Sequence, residues 1–273
     1  MRKELIFIYK CSLLLIALGF APAAFADVSL KQDPQSILTT ANDVPPLDAD
    51  ESTDEVPVKD PHEKFNRAMF GFNEVLDKIV LKPVAMLYTN IVPKPLAKGI
   101  SNIYANIDTI PTVLNDVLQG NFYQGTSDAW RFILNTTIGV GGFFDVASNM
   151  GLEPNTEDFG LTLARWGYTD STYLVLPFIG PTTFRDGVIG WPVNYYFLSI
   201  YPYINPTNVR YTIYGVGVIS KRADLLHFQG TIEQLAFDRY LFMRDAYSQR
   251  RKYQIQRNNE LGNPYLEKNS KAY

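Results

Sequence analysis

The chain has 273 residues, enough for one large or two small domains, and its 46% of hydrophobic residues can form a sizeable core. The formal net charge of −3, together with the lack of a basic patch interleaved with base-stacking aromatic residues, argues against nucleic acid as a partner. Aromatic residues make up 14% of the chain, and such amphipathic side chains favour membrane interfaces, although they also fill ordinary cores.

The first 26 residues have the parts of a secretory signal peptide. Three cations lie within residues 1 to 10, and an apolar run follows at residues 13 to 21. That run is shorter than the ~20 residues that a transmembrane span needs. The small residues Ala24 and Ala26 predict cleavage after Ala26. We therefore expect export of the chain and removal of this segment.

The only cysteine, Cys11, precedes the apolar run and follows Lys10, so it lacks a lipobox. We expect Cys11 to leave with the signal peptide, so that the exported chain has neither lipidation nor a disulfide. Large exported domains do not need disulfides, so this does not argue against the periplasm. Membrane attachment would then depend on the folded surface.

Residues 27 to 60 contain nine acidic side chains, two lysines and four prolines. This composition predicts a disordered acidic linker, and an acidic contact arm is the alternative. The predicted helical domain covers residues 61 to 257, and residues 258 to 273 form a predicted polar C-terminal tail.

The domain begins with apolar side chains at helical spacing over residues 65 to 80. They predict an amphipathic helix that ends at Lys82-Pro83 and packs on a core or lies in a lipid interface. Prolines then separate two predicted short helices, at residues 96 to 105 and 112 to 118. Gly120-Asn121 predicts a turn.

A further helix is predicted at residues 122 to 137, and closely spaced glycines follow it. Each glycine costs about 1 kcal/mol inside a helix relative to alanine, so the cluster predicts a bend or a close backbone approach. Two adjacent phenylalanines and an aspartate come directly after the bend. This arrangement suits a surface that meets lipid, but it also fits a buried turn between two core helices.

In the second half of the chain, Asn155-Thr156 is predicted to cap a helix that ends at Arg165. Residues 173 to 178 are predicted to be extended, but too short for a real sheet. Thr182-Thr183 is predicted to cap a helix that Pro192 interrupts. Helices at residues 207 to 225 and 231 to 256 complete the domain.

No catalytic or metal-binding set is visible. The two histidines have no ligand companion at helical spacing, and there is no nucleophile elbow. The glycine cluster follows a helix and lacks the Lys-Ser/Thr pair of a phosphate loop. We therefore expect no cofactor, no metal and no enzymatic activity. The charged residues set among apolar ones are expected to form ion pairs, and a minority could line a polar path.

Four blocks resemble, in order and spacing, the MlaA/VacJ family of outer-membrane lipoproteins. They are DPHEKFNRAMFGFN at residues 60 to 73, RFILNTTIGVGGFFDVA at 131 to 147, YLVLPFIGPTTFRD at 173 to 186 and FDRYLFMRDAYSQRR at 237 to 251. The resemblance covers about residues 60 to 256, and the missing lipobox departs from it.

The resemblance implies an all-α fold, a single domain of amphipathic helices that forms a ring around a central amphipathic channel. Such proteins lie at the periplasmic face of the outer membrane of Gram-negative bacteria, in its inner leaflet, and associate with trimeric porins. They remove mislocalised phospholipids from the outer leaflet and pass them to a periplasmic lipid-carrier protein. The alternatives are a porin-associated structural protein without lipid transfer, a periplasmic relative that docks on a porin, and a lipid-modifying enzyme.

The matching blocks also imply candidate channel residues in three regions. A lipid-contacting helix would contribute Phe65, Met69 and Phe72. A bend at the channel wall would contain Gly139, Gly141, Gly142, Phe143, Phe144 and Asp145. The third region, Tyr173 to Asp186, would help to shape the channel or its exit, and Arg185 is its candidate channel residue.

Overall fold

The computed structural model describes residue 58, residues 60 to 235 and residues 237 to 261. Of residues 227, 228, 230 to 235, 260 and 261, only the backbone is described. The predicted signal peptide with Cys11, the predicted linker apart from residues 58 and 60, and residues 262 to 273 of the predicted tail lie outside this part of the chain.

The first helical segment is longer than predicted. Helix α1 (Glu63–Leu76) continues through a π-helical turn (Asp77–Leu81) into α2 (Lys82–Ile91). The predicted end at Lys82-Pro83 is wrong, because the wide turn accommodates the proline. The Lys82 N–H bonds to the carbonyl five residues back, and this shift of the bonding pattern directly precedes Pro83, which needs no donor.

The next two helices form a hairpin. Helix α3 (Lys94–Leu118) contains Pro111, so the predicted break into two short helices is wrong. The face of α3 around this proline is buried. The packing of that face stabilises the helix by more than the loss of one backbone hydrogen bond at Pro111 destabilises it. Helix α4 (Phe122–Thr137) has the predicted bounds and packs along α3. The predicted turn between them is confirmed by the left-handed backbone of Gly120, whose φ is 76°.

Short elements follow. Helix α5 (Val146–Asn149) precedes α6 (Phe159–Arg165), which is capped by Asp158 rather than by the predicted Asn155-Thr156. Strands β1 (Tyr173–Leu176) and β2 (Gly180–Thr183) pair in antiparallel register. The predicted extended segment is therefore confirmed over residues 173 to 176, whereas the expectation that it forms no sheet is wrong, because the chain turns back after Leu176 and supplies a partner strand.

The chain then runs through a π-helical segment (Phe184–Gly190), α7 (Trp191–Val193), a second π-helical turn (Asn194–Leu198) and a 3-10 turn (Tyr201–Tyr203). Thr183 caps the first of these, as predicted, by accepting from the Asp186 N–H. Pro192 does not interrupt the helix, because it lies in the first turn of α7, where its missing N–H costs little.

Two long helices end the described chain. Helix α8 (Thr207–Leu235) extends past its predicted end, and α9 (Arg239–Leu261) begins later than predicted and continues into the predicted tail. Helix α8 packs on α2 and α3, whereas α9 packs on α6 and β2. The small sheet lies against α1 and α9, where Tyr173, Val175 and Tyr240 form the buried core cluster.

The predicted all-α class is therefore confirmed, with one two-stranded sheet among the described residues. Within that part of the chain, none of the helices combines the length and the apolar character required to cross a membrane.

Candidate functional site

A cavity of about 220 Å³ lies between α3, the loop that precedes α6, the π-helical segment Phe184–Gly190, α8 and α9. Its lining brings together side chains from segments more than 140 positions apart in the chain, such as Tyr104 and Gln254. The lining combines a group of aromatic rings with two groups of charged side chains. A cavity with both kinds of surface can hold an amphipathic molecule.

The aromatic wall comes mainly from α7, the turns that follow it and α8. Trp191 stacks on Tyr195 with ring centroids 5.5 Å apart, and Tyr201 meets Tyr214 edge to face at 5.4 Å. Burial raises the pKa of Tyr201 and of Tyr214 far above the usual value. These phenols therefore stay neutral, and the wall is uncharged near neutral pH.

The first charged group is an ion pair between α3 and α8. The Lys221 ammonium donates to the Asp108 carboxylate at 2.6 Å, and the side chains remain 28% and 35% exposed. After burial, the Asp108 charge is a further cause of the raised pKa of Tyr201 and Tyr214. The pair is therefore accessible from the cavity and lies next to the aromatic wall.

The second charged group joins α9 to α6 and to the π-helical segment. Arg251 donates to Asp158 at 2.6 and 2.7 Å and to Asp186 at 2.9 Å. Asp186 also accepts from Arg185 and from the Tyr247 hydroxyl. Burial alone would raise the pKa of Asp186, but the two guanidinium groups hold it well below its usual range. This group fixes the position of α9.

A buried acidic cluster of Asp116, Asp128 and Glu157 adjoins the cavity and reaches its lining through Glu157. Burial, and after it the nearby Glu157 and Asp128, raise the pKa of Asp116 to about 9. Glu157 is held by Gln119 and Asn258 and pairs with the Arg257 guanidinium, which is 3.1 Å away. Asp116 is therefore a neutral acid at pH 7, and the cluster supports the wall formed by α3.

The predicted glycine bend is confirmed as a bend. Gly141 and Gly142 have φ values of 69° and 89°, which side chains rarely adopt. A Cβ on Gly142 would lie 2.6 Å from the Asn106 Cβ, so the backbone approaches α3 as closely as the missing side chain allows. Asn102 donates to the Phe143 carbonyl at 3.0 Å. The bend is thus docked on α3.

The bend has one side packed on α3 and one side exposed. Phe143 packs on Gly99 as a buried turn would, whereas Ile138, Val140 and Phe144 are 61%, 69% and 56% exposed. Asp145 caps α5 by accepting from the Ser148 N–H.

The remaining charged residues follow the expected ion-pair pattern. Asp145 lies 3.3 Å from the Arg131 guanidinium, and Arg185 lies 2.7 Å from Asp186. Arg185 is 1% exposed and also donates to the carbonyls of Tyr168 and Thr169. Every nitrogen of this guanidinium therefore bonds within the protein.

On α1, the predicted lipid-contacting residues divide between surface and core. Phe65 and Phe72 are 48% and 44% exposed, whereas Met69 packs against the core cluster. The Phe72 ring contacts Phe178 beside the sheet, with centroids 5.3 Å apart. All of the predicted site residues lie in the described part of the chain, and none of them lines the cavity. Their roles in a channel remain predictions.

The α3–α4 hairpin also carries an apolar groove on its outer surface, with a volume of about 270 Å³. Phe122 and Trp130 in this groove are 65% and 54% exposed. The groove is lined by Val113, Val117, Phe122, Gly125, Thr126, Ala129, Trp130 and Ile133. An apolar surface of this kind, on a helix that is polar on its buried side, is typical of contact with lipid or with another protein.

Sequence reasoning did not assign the cavity residues Asp108, Lys221, Asp158 and Tyr247 to the site. Part of the aromatic wall gave a signal, since aromatic residues cluster between Trp191 and Tyr203. The ion pair of α3 and α8 gave none, because its two residues are 113 positions apart and each sits in an ordinary helical pattern.

Comparisons with known proteins agree with one another. A family model for the MlaA lipoprotein matches residues 58 to 254. The intermembrane phospholipid transport system lipoprotein MlaA of Escherichia coli K12 is 39% identical over 209 residues, which are 74% of this chain and 80% of that protein. The protein of the same name from Haemophilus influenzae is 34% identical over 202 residues, 72% of this chain and 79% of that protein.

An uncharacterized protein of Rickettsia typhi is 39% identical over 202 residues, 73% of this chain and 79% of its own length. A solved structure that describes the structural basis for maintenance of bacterial outer membrane lipid asymmetry matches with a TM-score of 0.61 and 36% identity. The match covers 72% of this chain and 99% of that chain.

Proposed function

Because the chain belongs to the MlaA lipoprotein family, we propose that it removes mislocalised phospholipids from the outer leaflet of the outer membrane of a Gram-negative bacterium. It passes them to a periplasmic lipid-carrier protein, which keeps the membrane asymmetric. The relatives named for intermembrane phospholipid transport, and the structure concerned with lipid asymmetry, support this role.

The observation that carries the proposal is the cavity, where an aromatic wall lies beside accessible charges. A phospholipid has a charged head and two apolar tails, and each part is costly to place against the wrong surface. The stacked rings of Trp191 and Tyr195 offer an uncharged surface, and the Asp108–Lys221 pair offers charges to a head group. In this proposal, the cavity is part of the path that a lipid follows.

The apolar outer surface supports the proposed location. Exposed apolar side chains on the α3–α4 hairpin and its bend, among them Phe122, Trp130, Val140 and Phe144, suit the inner leaflet of the outer membrane. The domain then lies at the periplasmic face of that membrane. A trimeric porin is the proposed membrane partner, on the basis of the resemblance.

The proposed role requires no bond to be broken in the lipid. Transfer needs only a surface that receives each part of the molecule in turn, and the energy for directional flow would come from other components of the transport system. Lipid-modifying activity is therefore not part of the proposal.

The experiment begins with deletion of the gene and measurement of the phospholipid exposed in the outer leaflet. Deletion should raise this amount, and the intact gene should restore it. A plasmid with Ile179→Trp, which places a large ring in the lining of the cavity, should restore it poorly. Val75→Trp is the matched control, since Val75 lies on α1, is 57% exposed and does not line the cavity.

Three results would contradict the proposal. Deletion without any change in surface phospholipid, with the protein shown to be present in wild-type outer membranes, would exclude lipid removal. Full restoration by Ile179→Trp, with porin binding intact, would favour the structural partner of a porin. Altered phospholipid chemistry in place of altered location would favour a lipid-modifying enzyme.

A further inference from the structure

We propose that the Asp108–Lys221 pair makes the cavity selective for zwitterionic phospholipid head groups, such as phosphoethanolamine, over anionic ones. This inference rests on the proposed function, since it assumes that a phospholipid enters the cavity. It adds the class of head group and the two residues that distinguish it.

The pair is placed so that a ligand can reach it. Asp108 on α3 and Lys221 on α8 meet across the cavity wall at 2.6 Å, and both keep about a third of their side-chain surface exposed. The ion pairs that Arg251 forms in the lining are different: the Arg251 side chain is 10% exposed and its partner Asp186 is 8% exposed, although its other partner, Asp158, is 40% exposed. A head group can therefore reach both members of the Asp108–Lys221 pair, whereas the cation of the other pairs is buried.

The charge of the lining is balanced. Its basic side chains are Lys221, Arg250 and Arg251, and its acidic side chains outside the acidic cluster are Asp108, Asp158 and Asp186. The fourth acidic side chain of the lining, Glu157, pairs with Arg257. Three cations thus face three carboxylates, and the lining has no surplus of positive charge to hold an anionic head group.

A zwitterionic head group can replace both members of the pair at once. Its phosphate takes the place of the carboxylate at Lys221, and its ammonium takes the place of the lysine at Asp108. The aromatic rings of Tyr201 and Tyr214 belong to the adjoining wall, where a cation gains further attraction from their faces. Every charge then has a partner.

An anionic head group such as phosphoglycerol brings the phosphate but not the ammonium. Its binding to Lys221 would leave Asp108 without a counter-charge in a partly dehydrated cavity. An unpaired charge in such a place is costly, although solvent at a partly exposed pair reduces the cost. We therefore expect a preference of about fivefold for the zwitterionic lipid, the ratio that corresponds to the upper range for a partly exposed pair.

The test uses the full chain purified in detergent, with Trp191 as the reporter. Trp130 and Trp166 are replaced by Phe, so that the one remaining tryptophan of the chain lines the cavity. Phosphatidylethanolamine and phosphatidylglycerol with brominated acyl chains are titrated separately, and quenching of the fluorescence gives an apparent affinity for each lipid.

The wild-type cavity should bind phosphatidylethanolamine about fivefold more tightly than phosphatidylglycerol. Asp108→Asn should bring this ratio close to one, because the ammonium loses its partner and the anionic lipid no longer isolates a carboxylate. Lys221→Met should weaken the binding of both lipids. Lys98→Met is the matched control, an exposed lysine of α3 outside the lining, and should keep the wild-type ratio.

Equal binding of the two lipids by the wild type would overturn the inference while leaving the proposed function standing, since lipid would still reach the cavity. So would a folded Asp108→Asn variant that keeps the fivefold ratio. If neither lipid quenches Trp191, the lipid path through this cavity is wrong, and the head-group inference is wrong with it. The wild-type ratio decides between these outcomes even if a variant does not fold.

Discussion

Replacement of Asp116 by asparagine should change how the stability of the protein depends on pH. Asp116 is fully buried beside Asp128, and among the described residues neither of its carboxylate oxygens accepts a hydrogen bond. Its pKa is raised to about 9, first by burial and then by the charges of Glu157 and Asp128. The folded protein therefore keeps a proton that the unfolded chain releases near pH 4.

The difference between the folded and the unfolded pKa of Asp116 sets the direction and the size of the change in stability with pH. A folded pKa above the unfolded value gives a contribution to stability that is fully present below about pH 4 and is lost as the pH rises towards 9. Between these values the folded state binds one more proton, so the free energy of unfolding falls by up to about 1.4 kcal/mol per pH unit. Asparagine keeps the size of the neutral acid and can donate to Asp128, but it does not titrate.

The measurement is denaturant unfolding of the wild type and of Asp116→Asn in mild detergent at pH 5, 6, 7 and 8. Circular dichroism monitors the unfolding. Titrating groups that do not interact with Asp116 cancel in the difference between the two proteins. We expect the free energy of unfolding of the variant to rise relative to that of the wild type with each pH unit. Between pH 5 and pH 8 the total rise should be up to about 4 kcal/mol. A difference that does not vary with pH would refute the assignment of a neutral Asp116.

Other substitutions test the packing and the buried charges. Gly99→Ala should lower the free energy of unfolding by about 1–3 kcal/mol, because its methyl group overlaps the Phe143 ring. Gly71→Ala, where the space is open, should raise it by up to about 1 kcal/mol, and a thermal scan that ranks the two variants the other way would contradict this packing. Arg251→Met should cost about 3–5 kcal/mol, since it leaves Asp186 and a second carboxylate without their main cation. Hydrogen exchange along α9 should then increase, and unchanged protection would show that Arg251 does not hold this helix. The lowered pKa of Asp186 gives stability that is present above the ordinary carboxyl pKa and is lost as the pH falls through the folded value. Asp186→Asn should therefore flatten the loss of stability below about pH 4, and acid titrations with equal slopes would disprove this contribution.

Some elements could be predicted because their signal is local. Helix α4 has the predicted bounds, since Asn121 caps its start and the glycine bend follows its end. The interior prolines misled the prediction in three places, at Pro83, Pro111 and Pro192. A π-helical turn, a buried helix face and a position in a first helical turn each make these prolines tolerable. Such compensation depends on geometry that the sequence pattern does not contain.

The candidate site was predicted less well than the fold. The family blocks led to the bend after α4, to α1 and to the segment after β2, but none of the candidate residues chosen there lines the cavity. The cavity is lined partly by other residues of the third and fourth blocks, such as Thr182 and Tyr247, and partly by Asp108 and Lys221, which lie between the blocks on helices far apart in the chain. Residues between the blocks carry no signal of their own until the helices bring them together.

The sequence by itself determined the helical class, the bend and the family, because helical periodicity, glycine conformation and ordered blocks are properties of neighbouring residues. Only the tertiary structure decided which charges are accessible. In the sequence, Arg251 and Lys221 are both basic residues of predicted helices. In the structure, Arg251 is buried against Asp158 and Asp186, whereas Lys221 faces the cavity with Asp108. The physical reason is that burial and counter-charges come from other helices, and the energy of a charge depends on its surroundings far more than on its place in the chain.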